Sequence, residues 1–341
     1  MKINLNEIII NPDLDSIVRE KISDEEYFSD RYSHYTSNSR LKLIDPDKNG
    51  SPSKYQKGFK TGYDPSLALG SVVHQCVLQP DEFSLGPDLN KPSAKLGAVI
   101  DKIKEYRKHD KIIDAINKAC NTIDYYKDKL NRNRLRKIIN EGLGYYLNIP
   151  KDNSILILSN KDRQICEHCI DNLFKNRSIY NLLFPTDVFG YPIESYTEDA
   201  FFMDFICKHQ DKECRIKFKM KADHWSIDFD NKIITLNDLK TTSKPVHEFL
   251  SGSFVHFSYY TQFAIYLYIL LAYCKKQYGY NKEEWRYDCN VLVVGTRGNN
   301  DTAVYKVFDE FIKAGKKEFC KLLKMVAYCE MYGYDDDYMF M

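Results

Sequence analysis

The hydrophobic pattern of the chain changes its period near Pro185, and this change limits the choice of fold. Before this proline, apolar residues recur at helical spacing. After it, the segment Cys214–Met220 alternates strictly, with Ile216 and Phe218 on one side and Lys217 on the other. Because successive side chains of a strand point to opposite faces, the alternation predicts a strand with one buried face. The chain is therefore expected to combine helices with a sheet.

Further strands are predicted in the second half of the chain. The sequence DFDNK at 228–232 predicts a hairpin turn, and Ile233–Lys240 predicts the antiparallel strand that follows it. Other strands are predicted at Ile193–Tyr196, Asn290–Thr296 and Thr302–Phe308, and helices at Ser66–Leu78, Asn160–Phe184, Phe254–Tyr278 and Glu310–Met331. These elements predict an α/β fold with a mixed central β-sheet flanked by helices.

The length of 341 residues predicts one elaborated domain or two. Residues 1–65 are irregular and rich in Asp, Ser, Asn, Pro and Tyr, which indicates an N-terminal arm. The main domain is predicted at 66–333, with a helical insertion at about 94–150, and an acidic tail at 334–341.

Charge and cysteine content limit the environment and the partners. The 49 Lys and Arg against 48 Asp and Glu give a net charge of +1, so any polyanion must be held by local patches. No stretch reaches the roughly 18 apolar residues of a membrane span, and we expect a cytoplasmic protein without membrane contact. The ten cysteines are scattered, which favours reduced thiols. Cys166 and Cys169 have metal-ligand spacing, but no second such pair follows, so we interpret them as packing residues of a helix.

A carboxylate and an amine share one face at the end of the predicted strand 233–240. Asp238 and Lys240 lie two residues apart, and such residues of a strand point the same way. The carboxylate can hold a divalent metal ion, and the ammonium group can orient a water or stabilise charge on a phosphate. Asp223 ends the preceding strand, and Glu194 lies in the strand before that. Three carboxylates and one lysine are therefore expected to converge.

This order of residues resembles the PD-(D/E)XK nuclease superfamily, in particular its RecE-type (exonuclease VIII) branch, which is akin to the RecB nuclease domain. The resemblance covers about residues 35–330 and rests on five short motifs in the same order: Ser37-Asn-Ser-Arg-Leu41, Leu69-Gly-Ser-Val-Val-His74, Lys221-Ala-Asp223, Asp238-Leu-Lys240-Thr-Thr and Gln262-Phe-Ala-Ile-Tyr266. The family usually has Arg before Ala-Asp. Lys221 keeps the charge but loses the bidentate fork of Arg.

The resemblance implies a restriction-endonuclease-like core and a metal site for Mg²⁺ or Mn²⁺ with two ions. Asp223 and Asp238 would be the main metal ligands, Glu194 a further metal-binding and catalytic acid, and His74 a ligand or a partner of one. From the sequence alone, His74 on an apolar helix is also open to interpretation as a packed core histidine. Catalytic roles are implied for three further residues: Lys240 would position the attacking water, and Gln262 with Tyr266 would support this lysine and the DNA phosphate.

The implied activity is a metal-dependent exonuclease that digests double-stranded DNA ends from 5′ to 3′ in phage-type recombination in the cytosol of a bacterial host. A single-strand annealing protein and a ring-shaped homo-oligomer would be its partners. A basic strand face leads to Asp223 and is predicted to bind DNA: Arg215, Lys217, Lys219 and Lys221.

Two alternatives stay open. A CRISPR-associated type of iron-sulfur nuclease shares this core, although Cys320 and Cys329 lack the C-terminal cysteine triplet of that group. A catalytically silent DNA-binding module of the same fold is the other, and the retention of Asp223, Asp238 and Lys240 argues against it because charges in a cleft are costly to keep.

Overall fold

The computed structural model describes residues 2–58, 65–92, 94–126, 131–150 and 155–340. Its helices are α1 (Asp24–Tyr27), α2 (Asn38–Leu41), α3 (Pro52–Lys57), α4 (Pro65–Leu78), α5 (Ala94–Tyr106), α6 (Ile112–Thr122), α7 (Asn131–Asn148), α8 (Asn160–Lys175), α9 (Arg177–Leu183), α10 (Tyr259–Tyr278) and α11 (Asp309–Tyr332). Its strands are β1 (Lys2–Ile3), β2 (Ile9–Glu20), β3 (Ser84–Leu85), β4 (Ile155–Leu156), β5 (Glu194–His209), β6 (Lys212–Asp228), β7 (Ile233–Thr242), β8 (Arg286–Gly295), β9 (Thr302–Lys306) and β10 (Met339–Phe340).

A six-stranded mixed sheet in the order β2-β5-β6-β7-β8-β9 forms the centre of the fold. Neighbouring strands are antiparallel except β7 and β8, which run parallel. A parallel pair needs a crossover connection, and the 20-residue helix α10 lies in this one. The structure confirms the predicted α/β fold with a mixed central sheet flanked by helices.

The hairpin of β5 and β6 is longer than the sequence predicts. A two-residue turn joins His209 to Lys212, and the register continues to the pair Glu194–Ile227. The alternation covers only part of this hairpin, because the segment 200–203 is buried at every residue. A strand that is buried on both faces lacks the alternating pattern.

Helices cover both faces of the sheet. On one face, α10 and α11 pack over a core that includes Phe218 and Trp225. On the other face, α4, α8 and α9 pack against Leu239 and other residues of β7 and β8. Cys166 and Cys169 of α8 are fully buried in this second core. In the part of the chain that the structure describes, no helix combines the length and the apolar character that crossing a membrane requires.

The N-terminal segment is tied into the sheet. Strand β2 pairs with β5 along its edge, with a register shift between Asp13 and Val18. The sequence does not predict this strand, because Pro12 and several acids interrupt its apolar pattern, and an edge strand tolerates both. Strand β1 pairs with β10, so the two ends of the described chain lie side by side. The domain boundaries at 65 and 334 stay predictions.

Helices α5, α6 and α7 occupy the segment that the sequence predicts as a helical insertion. They pack around a small core of their own, in which Val99, Ile100 and Ala119 are buried.

Candidate active site

The pairing of β6 with β7 stops where the candidate site begins. The ladder between these strands ends at the pair His224–Asn237, and the next two residues in register are Asp223 and Asp238. Beyond this point β6 stays with β5, and β7 stays with β8. The two aspartates therefore lie at a fork in the sheet, where the strands separate.

Buried polar side chains fix the base of this fork. The Asn237 side chain donates to the Leu182 carbonyl at 3.0 Å and accepts from the Asn290 side chain at 3.0 Å. His224 Nε2 donates to the Leu183 carbonyl at 3.0 Å, and burial lowers the pKa of His224 to about 4. A fully satisfied buried network of this kind is rigid, so it holds the neighbouring aspartates in place.

Asp238 and Lys240 share one face of β7. The Lys240 ammonium group pairs with Asp238 Oδ2, and Gln262 of α10 donates to Asp238 Oδ1 at 2.7 Å. Burial raises the pKa of Asp238 to about 6, although Lys240 opposes this shift. Burial disfavours the ammonium form of Lys240, but Asp238 and the other acids raise the pKa of Lys240 above its usual range. The lysine is therefore cationic at neutral pH.

Helix α4 brings His74 to the fork from the face of the sheet opposite to α10. His74 Nδ1 lies 3.6 Å from Asp223 Oδ2, and the Leu239 N–H donates to the same oxygen at 2.9 Å. Gly70, one turn earlier, permits this approach, because a Cβ there would lie 2.8 Å from Thr241 Oγ1. Burial lowers the pKa of His74 to about 4, so its imidazole is neutral and keeps a lone pair for a metal ion.

Glu198 of β5 completes this group, although the sequence did not indicate it. It lies opposite Asp223 in the register and has a φ of 54°, a left-handed conformation that is uncommon for Glu. Donor atoms of His74, Glu198 and Asp223 all lie within 4.8 Å of one another. Carboxylate oxygens suit Mg²⁺ and Mn²⁺, and imidazole nitrogen is a common additional ligand. The three residues could therefore hold a divalent ion.

A lysine partly balances the acids of this group. Lys221 Nζ lies 3.0 Å from Glu198 Oε2 and 2.5 Å from Oδ1 of Asp24 in α1. Burial, followed by Asp223, nevertheless raises the pKa of Glu198 to about 7, and burial raises the pKa of Asp223 as well. The nearby lysines therefore do not fully stabilise the ionised form of these acids, and a bound cation would do so.

A cleft of about 880 Å³ opens from this group. Its walls come from α4, β6, β7, α10 and residues 24–58 of the N-terminal segment. Tyr266 lies one turn after Gln262 on α10 and also lines the cleft, and burial raises the pKa of Tyr266 well above its usual range. Of the predicted residues, His74, Asp223, Asp238, Lys240, Gln262 and Tyr266 are brought together here.

The structure does not bring the third predicted acid, Glu194, to the fork. Glu194 begins β5, is exposed, and its carboxylate accepts a hydrogen bond of 2.7 Å from the Tyr196 hydroxyl. It lies four residues from Glu198, which is about 13 Å along a strand. The acid that β5 does bring to the fork is Glu198, and the role of Glu194 stays a prediction.

The basic face of β6 is not the open track that its alternation predicts. Arg215 Nη1 lies 2.9 Å from carboxylates of both β2 and β5, and Lys221 is paired with acids as described. Lys217 is exposed but does not line the cleft. Lys219 does line it, and donates to the Tyr27 carbonyl at 2.6 Å. The N-terminal segment covers this face, which the sequence of β6 alone cannot reveal.

One signal in the sequence could have located Glu198. The turn between His209 and Lys212 has only two residues, and so short a turn sets the register of the whole hairpin. Counting back from this turn places Glu198 opposite Asp223.

No protein-family model and no curated protein sequence matches this chain. Among solved structures, a candidate exonuclease from Eubacterium rectale is similar with a TM-score of 0.42 and 10% identity, over 90% of this chain and 85% of that protein. A protein from Vibrio cholerae is similar with a TM-score of 0.18 and 12% identity, over 78% of this chain and 57% of that protein. These similarities are too low to assign a function to this chain.

Proposed function

We propose that this protein is a metal-dependent nuclease that hydrolyses DNA phosphodiester bonds. One observation carries the proposal: His74, Glu198 and Asp223 meet within 4.8 Å of one another beside the pair of Asp238 and Lys240. The order of these residues along the chain, together with the fork between β6 and β7, supports membership of the PD-(D/E)XK superfamily.

The donor set suits Mg²⁺ or Mn²⁺. His74, Glu198 and Asp223 would hold the first ion, and Asp238 would join them once Lys240 turns toward the substrate. When bound, the metal supplies Lewis acidity toward a phosphate oxygen and a lower pKa for the attacking water. The acids of the fork would otherwise repel a phosphate, so binding of the scissile phosphate at the fork would be coupled to metal binding.

The neighbouring side chains supply the remaining chemistry. Lys240 carries a positive charge that orients a water and stabilises the negative charge that develops on the phosphate. Gln262 donates to Asp238 and thereby fixes the side of this carboxylate that faces Lys240. Tyr266 places a hydroxyl on the same wall of the cleft, where it can donate to a phosphate oxygen.

The finer features of the activity rest on the resemblance of the motifs alone. We propose exonuclease action on double-stranded DNA ends, from 5′ to 3′, in phage or prophage recombination within a bacterial cytosol. A single-strand annealing protein would receive the product strand, and a ring-shaped homo-oligomer would encircle the duplex.

Digestion of end-labelled linear DNA and of closed circular DNA, with Mg²⁺ or with EDTA, tests the proposal. We expect loss of the linear substrate only when metal is present, and digestion by Lys240→Met to be slower by on the order of 100-fold. Wild-type protein that binds Mn²⁺ but leaves both substrates intact would refute nuclease activity, and digestion of circular DNA would refute strict exonuclease action.

A further inference from the structure

Apart from Lys57, the lysine and arginine side chains that line the cleft fall into two groups. Lys221 and Lys240 lie against carboxylates of the candidate metal site. Arg40, Lys42 and Lys219 line the same cleft. Among the described residues, no carboxylate oxygen lies within 4.0 Å of the charged nitrogens of these three side chains. These three side chains therefore bring positive charges to the cleft that carboxylates of the described residues do not neutralise.

Arg40 and Lys219 are close neighbours. The Lys219 side chain is 7% exposed, and its ammonium group donates to the Tyr27 carbonyl and lies 4.3 Å from the centre of the Tyr27 ring. Arg40 Nη1 donates to the Ser33 carbonyl at 2.6 Å, whereas its Nε is buried and has no partner in the described structure. Burial and then Arg40 lower the pKa of Lys219 to about 8. Two like charges held together at low exposure are unfavourable unless an anion joins them.

Lys42 extends this charge toward the candidate metal site. Its ammonium group donates to the Phe257 carbonyl at 2.7 Å and lies 5.6 Å from the centre of the Tyr259 ring. Lys240 lies 5.2 Å from the centre of the same ring. Lys42 therefore lies near the same aromatic ring as Lys240, to which we assign a catalytic role, but it comes from the N-terminal segment.

We propose that Arg40, Lys42 and Lys219 form a phosphate-binding subsite that holds the substrate strand beside the candidate metal site. The proposal rests on the proposed function in that the substrate is a nucleic acid. A phosphate presents anionic oxygens that accept hydrogen bonds from the guanidinium group of Arg40 and from the ammonium groups of Lys42 and Lys219. The N-terminal segment thus supplies charge for binding, while the fork of the sheet supplies the chemistry.

Salt-dependent DNA binding without metal tests the subsite separately from catalysis. The variants are Lys42→Met and the double change of Arg40→Gln with Lys219→Gln, and the control is Lys217→Gln. Lys217 lies two residues from Lys219 on the same strand, is exposed, and does not line the cleft. Fluorescence anisotropy of a labelled oligonucleotide in EDTA gives the affinity at several salt concentrations. The slope of log affinity against log salt should fall by about 0.7 to 0.9 for each lost phosphate contact.

The outcomes distinguish a phosphate subsite from a general attraction between DNA and basic side chains. A change in slope for Lys217→Gln as large as that for the cleft variants would overturn the proposal, as would an unchanged slope for both cleft variants. Weaker Mn²⁺ binding by Lys42→Met would also count against it, because a phosphate subsite leaves the metal ligands intact. Because Arg40 also holds the Ser33 carbonyl, circular dichroism checks the fold of its variant, and Lys42→Met provides the test if that fold is lost.

Two further experiments identify which phosphate the subsite binds and distinguish failure of the subsite from failure of the proposed function. An oligonucleotide with a terminal phosphate is compared with the same oligonucleotide ending in a hydroxyl group. If the cleft variants lose affinity only for the oligonucleotide with the terminal phosphate, the subsite binds a terminal phosphate. If they lose affinity equally for both oligonucleotides, it binds an internal phosphodiester.

Inorganic phosphate should raise the Tm of the wild type, but not of the double variant, relative to chloride at equal ionic strength. If no DNA is digested and this shift persists, the proposed function fails while the subsite stands. If DNA is digested without any shift or change in slope, the subsite is wrong.

Discussion

Replacing Glu198 by Gln tests which acid of β5 serves the candidate metal site. The change keeps the size of the side chain and removes one charged donor from the group with His74 and Asp223. We expect the Mn²⁺ concentration at half-saturation to rise about 100-fold, which corresponds to about 2.7 kcal/mol. Glu194→Gln is the matched control, because it makes the same chemical change in the same strand.

The geometry sets the expected size of both effects. A divalent ion and a carboxylate at 4.8 Å, the limit within which all the donor atoms lie of one another, attract by about 7 kcal/mol at an effective dielectric constant of about 20. The desolvation of Glu198 and its existing pair with Lys221 offset more than half of this attraction. Glu194 lies about 13 Å along the strand, where water and a Debye length of about 8 Å reduce the attraction to about 0.1 kcal/mol. Its replacement should change the affinity less than about 1.3-fold.

Isothermal titration calorimetry with Mn²⁺ at neutral pH measures these affinities directly, and digestion at varied Mn²⁺ gives a second readout. Circular dichroism shows whether both variants keep the fold. The reasoning is refuted if Glu194→Gln weakens binding as much as Glu198→Gln, or if Glu198→Gln leaves the titration unchanged.

Three further predictions concern the rest of the cleft. Lys221→Met should lower the free energy of unfolding in EDTA by about 3 kcal/mol, because it leaves the Glu198 carboxylate without its cation. Asp24→Asn changes a half-exposed partner of the same lysine and should lower the free energy of unfolding by less than about 1 kcal/mol. Equal losses in urea titrations would contradict this. DNA affinity should begin to fall as the pH rises through about 8, because burial lowers the pKa of both Lys42 and Lys219 to about 8, and Lys219→Arg should make this fall smaller in binding assays. Lys240→Met should lower kcat by on the order of 100-fold, and Gln262→Ala by about tenfold, and neither change should weaken Mn²⁺ binding in calorimetry.

The parts of the site that the sequence predicts are those that depend on local spacing. Asp238 and Lys240 lie two residues apart on a strand, so their common face follows from the backbone alone. Gln262 and Tyr266 lie four apart on a helix, and the structure places both along the cleft for the same reason. The alternation of β6 likewise predicts a strand without reference to any other part of the chain.

Glu198 depends on a change of strand face that alternation cannot reveal. Before it, Tyr196 stacks on Trp225 in the main core at 4.4 Å between ring centres. After it, Phe201 and Met203 face the same core, although their numbers differ from that of Tyr196 by an odd count. The left-handed backbone at Glu198 accounts for this change. A period-two pattern read through this point assigns the acids of β5 to the wrong faces.

The basic residues of β6 show the complementary error. Their alternation correctly indicates a face that lies outside the main core, but exposure depends on what the rest of the chain places over it. The N-terminal segment places Tyr27 and Tyr32 over Lys219, with ring centres at 4.3 and 5.9 Å from its ammonium group. Such long-range coverage has no local signature, so the sequence predicted a track where the structure has a partly closed cleft.

The separation of charge within the cleft explains how a chain of net charge +1 can bind a polyanion. Lys221 and Lys240 are committed to acids at the fork, so they add little to the attraction of DNA from a distance. Arg40, Lys42 and Lys219 are not committed, and low exposure strengthens their field because water screens them poorly. Under the proposed function, a phosphate chain would be drawn first to the N-terminal wall, and a divalent ion would then make the acidic fork favourable for the next phosphate. DNA binding at the wall would be independent of metal and cleavage dependent on it, which is the distinction that the binding assay in EDTA measures.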